Sequence, residues 1–147
     1  MSALSNLYQE IIIDHAQSPK NFGELNQKSH HAHGDNPLCG DTIDIDLFVK
    51  NECVEEVRFR GDGCAISKAS ASLMTESIKG QSLETIQDLF EDFHGMLVHE
   101  QHPSATLKKL QVFEGVKEFP MRVKCATLCW HTLMAALEKK SSHVMTE

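Results

Sequence analysis

Residues 41–72 read DTIDIDLFVKNECVEEVRFRGDGCAISKASAS, and the fold class follows from how this stretch is punctuated. Ile43, Ile45 and Leu47 alternate with Asp44 and Asp46, the period of a strand with one buried face. After Lys50-Asn51-Glu52 a second run sets Val54, Val57 and Phe59 among charges, so the pair predicts an antiparallel hairpin. Gly61-Asp62-Gly63 breaks the second strand, and Cys64-Ala65-Ile66-Ser67 opens an Ala- and Ser-rich segment that ends near Gly80. This places Cys64 at a helix N-terminus.

Upstream, Leu4, Leu7, Tyr8, Ile11 and Ile12 recur at helical spacing, and Ser18-Pro19 closes the run, predicting a helix from Leu4 to His15. Residues 19–38 mix Pro, Asn, Gly and His without a period and read as an irregular arm leading into Asn36-Pro37-Leu38-Cys39-Gly40-Asp41, with Cys39 in a turn. Downstream, Ser82 with the polar turn Thr85 to Asp88, and Leu83, Ile86, Leu89 and Phe90 on one face, predicts a helix to about Phe93. From Gly95 to Glu118 the only signal is a short strand or turn near Leu107 to Val112. Phe119-Pro120 precedes a last helix from about Met121 to Lys139, with Cys125 in its first turns, and Ser141 to Glu147 reads as a loose tail. No repeat, low-complexity tract or linker divides residues 1–147, which are expected to form a single domain. The expected class is α+β, a small antiparallel sheet packed against helices on one side with the thiol site at one exposed end.

Hydrophobic residues make up 41% and charged residues 24% of the chain, values of a folded protein rather than a disordered one. The balance of 14 basic and 21 acidic residues, −7 in all, repels phosphate backbones, so no nucleic-acid partner is expected. The start, MSALSNLYQE, lacks a basic segment followed by an apolar run, and no stretch approaches the ~20 apolar residues of a membrane span. No membrane partner is therefore expected, and the expected location is cytoplasmic. Thiols stay reduced there, so five cysteines, an odd number, read as ligands, nucleophiles or core residues rather than as disulfides.

Cys39, Cys64 and Cys125 have 24 and 60 residues between them, which matches no compact zinc finger. Their surroundings say more. Cys39 and Cys64 follow turns that leave the sulfur approachable, and Cys64 and Cys125 stand where a helix begins, where free amide N–H groups favour thiolate over thiol. Asp41 lies two residues after Cys39 with Gly40 between, so carboxylate and thiolate can face a common centre as further ligands. Three thiolates and one carboxylate suit a tetrahedral zinc, and the same thiolates suit an iron-sulfur cluster with the carboxylate as its exchangeable ligand. Arg122 and Lys124 flank Cys125 and could offset the negative charge or stabilise a persulfide.

Three segments in order, Asn36 to Asp41, Gly61 to Ser72 and Arg122 to Leu128, resemble the three cysteine motifs of the U-type iron-sulfur cluster assembly proteins, IscU and SufU. Asp14-His15, Pro19 and Asn21-Phe22-Gly23 fit the family's N-terminal segment. The resemblance implies a SufE/IscU-like fold in a NifU N-terminal-like domain. Lys124 stands where the IscU branch has histidine, and residues 95–115 resemble an insertion of the SufU branch. For that branch the resemblance implies zinc held by Cys39, Asp41, Cys64 and Cys125, and sulfur accepted from a partner cysteine desulfurase. By the same resemblance Cys39 takes the persulfide after the desulfurase displaces it from zinc, Arg122 assists, and the sulfur passes to a downstream cluster-assembly complex or apo-proteins. Such a protein is a sulfurtransferase in the sense of a sulfur carrier rather than an independent catalyst. The alternative is a non-enzymatic scaffold carrying a transient iron-sulfur cluster, and a third reading is a purely structural zinc.

Other residues have plainer readings. Cys53 and Cys129 read as packing residues, although Cys129, one helical turn after Cys125, lies within reach as a resolving thiol. His30, His31 and His33 read as solvated surface histidines, and the Ala-Ser-Ala-Ser run after Cys64 reads as close helix packing.

Overall fold

The computed structural model describes residues 3–99, 101–138 and 141–145. The hairpin forms as its alternation requires. Strand β2 (Asp41–Lys50) pairs antiparallel with β3 (Cys53–Asp62), with Ile45 opposite Phe59 and Leu47 opposite Val57. The first helix, α1, spans Ala3–Gln17, and α2 spans Ala65–Ile78 with Cys64 as its N-cap. Helix α3 covers Leu83–Val98 behind the N-cap Ser82, and α4 covers Pro120–Glu138. The architecture is α+β, with helices packed on one face of the sheet.

Four readings are corrected. The arm is not irregular throughout, because His30–Asn36 forms β1, antiparallel to β2. Its inward positions are Ala32, Gly34 and Asn36, all buried and none a large apolar residue. They are small because α4 lies close: a Cβ on Gly34 would collide with Thr132 Oγ1. The tail is not loose either, since Ser141–Met145 forms β4, parallel to β1, giving the sheet order β3-β2-β1-β4. Residues 105–118 form neither strand nor simple turn but 3₁₀ turns, kinked at Lys108 with φ +52°. Finally, His31 and His33 are not simply solvated: His31 Nδ1 lies 2.7 Å from Asp46 Oδ1, and His33 Nδ1 lies 3.1 Å from Asp44 Oδ1. Burial alone would raise the Asp46 pKa, but hydrogen bonds from His31, the Leu25 N–H and Arg60 hold it below its ordinary value.

The core fills the space between sheet and helices. Trp130 of α4 stacks on Phe93 of α3 at 5.3 Å, and Phe93 meets Phe113 edge-on at 5.9 Å. Helix α1 docks on α2 through His15, whose Nδ1 is 2.7 Å from Ser72 Oγ. Between α3 and α4, Phe90 packs against both His94 and His131.

Burial holds His15, His94 and His131 below 6.5, so the fold keeps them neutral where the unfolded chain starts to take up protons. Their contribution to stability is complete above 6.5 and drains away as pH falls through the lowered folded values. The denaturant midpoint should therefore drop between about pH 7.5 and 5.5 with an unchanged m-value, and a flat midpoint would contradict this account.

Candidate metal centre

The site forms where the β1–β2 turn, the start of α2 and the start of α4 meet. Asn36 organises the turn: its carbonyl accepts the N–H groups of Cys39 at 3.2 Å and Gly40 at 2.9 Å, and its Oδ1 accepts that of Leu38 at 3.2 Å. Gly40 has φ +75°, a conformation glycine adopts without penalty, and this bend sets Cys39 at the tip and Asp41 at the first position of β2. Cys39 is half-buried and Asp41 fully buried.

Asp41 is held from the opposite side by the next motif. Its Oδ1 accepts the Cys64 N–H at 3.0 Å, and Gly63 packs so closely that a Cβ there would fall on that carboxylate. Its Oδ2 has no hydrogen-bond partner among the described residues. From α4, Cys125 reaches the same point. It is buried, its sulfur lies 3.6 Å from Cys39 Sγ, and Arg122 Nη1 stands 4.0 Å from it, one turn back along the helix.

Ligand atoms of Cys39, Asp41 and Cys125 all lie within 4.8 Å of one another, the spacing of groups that could hold one ion. Cys64 stands beside this trio rather than in it. As N-cap of α2 its Sγ accepts the Ser67 N–H at 3.4 Å, while its charge bears on both Cys125 and Arg122.

Electrostatics show what this cluster lacks. Burial, then the nearby Asp41, Cys39 and Cys64, push the Cys125 thiol far above its usual range, overriding the benefit expected from the helix start. Cys125 sits more than a full turn inside α4, beyond the first free amides. The Arg122 guanidinium is held more firmly protonated by Cys125 and Cys64. Three thiols and a carboxylate thus share one arginine, and a buried carboxylate oxygen lacks a partner. A divalent cation satisfies both deficits, and sulfur with carboxylate oxygen is a donor set zinc accepts. The residues fit that ion.

The remaining thiols are apart from the cluster. Cys129 is buried with its Sγ 3.4 Å from Ser70 Oγ, and burial pushes it up to about 12, the behaviour of a packing residue. Cys53 is half-buried at the start of β3, bridged to Ser82. Two features had escaped notice. One is an apolar rim: Leu38, Phe119 and Met121 are 61%, 59% and 49% exposed beside the motifs of Cys39 and Cys125. Its signal was Phe119-Pro120-Met121 ahead of the last helix. The other is a cleft of about 570 Å³, lined by Tyr8, Ile12, Ile66, Phe119 and Arg122, which leaves the guanidinium accessible while Cys125 is covered.

Comparison with known proteins agrees with this architecture. Residues 7–142 match the family model described as the NifU-like N-terminal domain. The chain is 39% identical over 138 residues to the zinc-dependent sulfurtransferase SufU of Bacillus subtilis (strain 168), covering 93% of each. It is 41% identical over 135 residues to the iron-sulfur cluster assembly scaffold protein IscU of Thermotoga maritima, covering 92% of this chain and 95% of that one. A crystal structure of a putative iron-sulfur cluster assembly scaffold protein for the SUF system from Fervidobacterium islandicum superposes with TM-score 0.83 at 32% identity, covering 87% of this chain and 94% of that one. The family match and the similarity over 93% and 92% of the chain agree: this chain belongs to the NifU-like N-terminal domain family, among the SufU and IscU proteins.

Proposed function

We propose that this protein serves iron-sulfur cluster assembly as a zinc-dependent sulfurtransferase, residues 1–147 acting as one domain that accepts persulfide sulfur from a cysteine desulfurase. The observation that carries this reading is the position of Cys39. Its sulfur belongs to a metal-ligand cluster, 3.6 Å from Cys125, yet it sits half-exposed at the tip of a turn where a partner can reach it. Cys39, Asp41 and Cys125 would hold the zinc, and Cys64, whose sulfur accepts the Ser67 N–H here, would be the fourth ligand. Zinc, when bound, keeps the thiols ionised at neutral pH.

The transfer then runs on this chain's own groups. The Cys39 thiolate attacks the outer sulfur of the partner's persulfide, an S–S bond forms on Cys39, and the partner's inner sulfur leaves as a thiolate. Arg122 stands where its charge steadies the sulfur anion, and Asp41 and Cys125 keep the turn in register. The location of both relevant motifs next to the exposed Leu38, Phe119 and Met121 supports transfer between proteins rather than a closed structural zinc. Similarity to proteins named as scaffolds supports a second reading, cluster assembly on the same thiols.

Purification without oxygen followed by metal and sulfide analysis separates them. The expected result is about one zinc per chain, no acid-labile sulfide, weaker zinc retention in Asp41→Ala, and faster turnover of the cognate desulfurase when the protein is added. Mass spectrometry should locate the transferred sulfur on Cys39. Iron with matching sulfide, held longer by Asp41→Ala, would establish the scaffold reading instead, and sulfur found only on Cys53 or Cys129 would sink the assignment of Cys39.

A further inference from the structure

Among the described residues, three buried polar side-chain atoms lack a hydrogen-bond partner: Asn36 Nδ2, Asp41 Oδ2 and Trp130 Nε1. Two of the three belong to residues that face each other directly, because Asn36 and Asp41 are the terminal pair of the β1–β2 ladder. Both residues are fully buried, so their side chains share the inner side of the sheet. Directly opposed residues of an antiparallel pair have Cβ atoms about 4.5–5.5 Å apart, within the reach of one amide–carboxylate contact.

The orientation of the Asn36 amide is fixed by what its oxygen does. Oδ1 accepts the Leu38 N–H, which leaves the NH₂ group on the other side of the carboxamide. On the facing residue, Asp41 Oδ1 is taken by the Cys64 N–H, which leaves Oδ2. A buried donor without an acceptor and a buried acceptor without a donor thus stand at partner positions, each costly to leave unmade.

The geometry points to Asn36 as a positioning residue of the metal centre: its Nδ2–H is the donor reserved for the Asp41 carboxylate, and it fixes that carboxylate as a ligand. This rests on the proposed function, in which Asp41 binds zinc. A carboxylate oxygen has two lone pairs, so Oδ2 can face the ion with one and accept from Asn36 with the other while Oδ1 keeps the Cys64 N–H; a single side chain thus shapes the Cys39 turn through its oxygen and orients the ligand through its nitrogen. Groups in this relation to a metal-binding side chain typically change affinity by about 10–100-fold when removed.

Asn36→Asp separates the two roles, since it keeps an oxygen for the Leu38 N–H and replaces the donor by an anion. At about pH 8, competition with a chromophoric chelator should show Asn36→Asp binding zinc about 10–100-fold more weakly than wild type. Cobalt(II), loaded in place of zinc, should show an altered d–d spectrum. Asn36→Ala, which loses both contacts, should be weakened as well, and circular dichroism of the metal-free variants reports on folding separately. The decisive comparison is in the Asp41→Ala background, where adding Asn36→Asp, which keeps the turn's acceptor, should cost no further affinity, because the Asn36 amide N–H acts through Asp41. Wild-type affinity in Asn36→Asp, or a fully additive loss in the double variant, would leave Asn36 a turn residue only and overturn the inference while the zinc reading stands. A wild-type protein that holds neither zinc nor cobalt overturns both.

Discussion

A Gly63→Ala variant should bind zinc at least about 100-fold more weakly than wild type while remaining folded, an effect out of proportion to one methyl group. The added Cβ would fall on Asp41 Oδ1 and come within 3.0 Å of Asp41 Cγ and 3.2 Å of its Cα. Neither side can retreat cheaply. Asp41 is fully buried and begins β2, and its Oδ1 is pinned by the Cys64 N–H. Relief therefore requires turning the carboxylate away from the cluster or moving the chain that carries Cys64, and either change removes a proposed ligand from its place. Gly40 provides the contrast. A Cβ there would meet nothing within 4 Å, but its φ of +75° disfavours any other residue. Gly40→Ala should accordingly cost about 1–2 kcal/mol of stability and leave most of the zinc affinity intact. Chelator competition and thermal melts on the two variants provide the check; equal zinc affinity in Gly63→Ala and wild type would show that the Asp41 carboxylate is not a ligand.

That argument marks the boundary of what local pattern can reveal. Cys39, Cys64 and Cys125 were legible because each stands in a turn or near a helix start, and Asp41 because it follows Cys39 across a glycine. The structure gathers Cys39, Asp41 and Cys125 but leaves the Cys64 sulfur on the Ser67 amide. Capping a helix and binding an ion are alternative uses of one sulfur at one backbone position, separated by a side-chain rotation, and a sequence motif is the same for both. Asn36 and Gly63 lay inside recognised motifs, but their roles come from cross-strand register and from a packing contact with Asp41. No residue-by-residue reading contains either.

The fold shows the same division. The β2–β3 hairpin, α1 and α3 were legible because their apolar positions carry the period of the element, α2 because an Ala- and Ser-rich run follows Gly61-Asp62-Gly63, and α4 because Phe119-Pro120 precedes it. Strand β1 was hidden because α4 crowds it, so its inward face is Ala32, Gly34 and Asn36, while His31 and His33 on the other face lie against Asp46 and Asp44. Strand β4 begins Ser141-Ser142-His143, which carries no apolar alternation, and its place is set by pairing with β1. The helix expected to end near Phe93 continues through Gly95 to Val98, and the Gly95 carbonyl accepts the N–H groups of His99 and Gln101. The kink at Lys108 interrupts the turns of residues 105–118, which defeats both the helical and the strand period.

Trp130 yields the largest expected effect on stability. It is fully buried, stacked on Phe93 at 5.3 Å, and Phe93 in turn meets Phe113, so the indole ties α4 to α3 and to the 3₁₀ segment. Trp130→Ala should cost about 3–5 kcal/mol, the transfer term plus the cavity left behind. At roughly 2–4 °C per kcal/mol for a chain of this size, the melting temperature should fall by about 6–20 °C. Trp130→Phe should behave very differently. It keeps the ring stack, gives up volume, and removes an indole N–H that has no hydrogen-bond partner among the described residues. An unsatisfied buried donor costs about 1–3 kcal/mol, which offsets most of the lost packing and should leave Trp130→Phe within about 1 kcal/mol of wild type. A Trp130→Phe melt as low as that of Trp130→Ala would mean that the indole N–H makes a bond after all. Because Trp130 follows Cys125 on α4 with its side chain in the core, zinc affinity measured well below the melting temperature should change little in either variant, separating support of the fold from ligation of the metal.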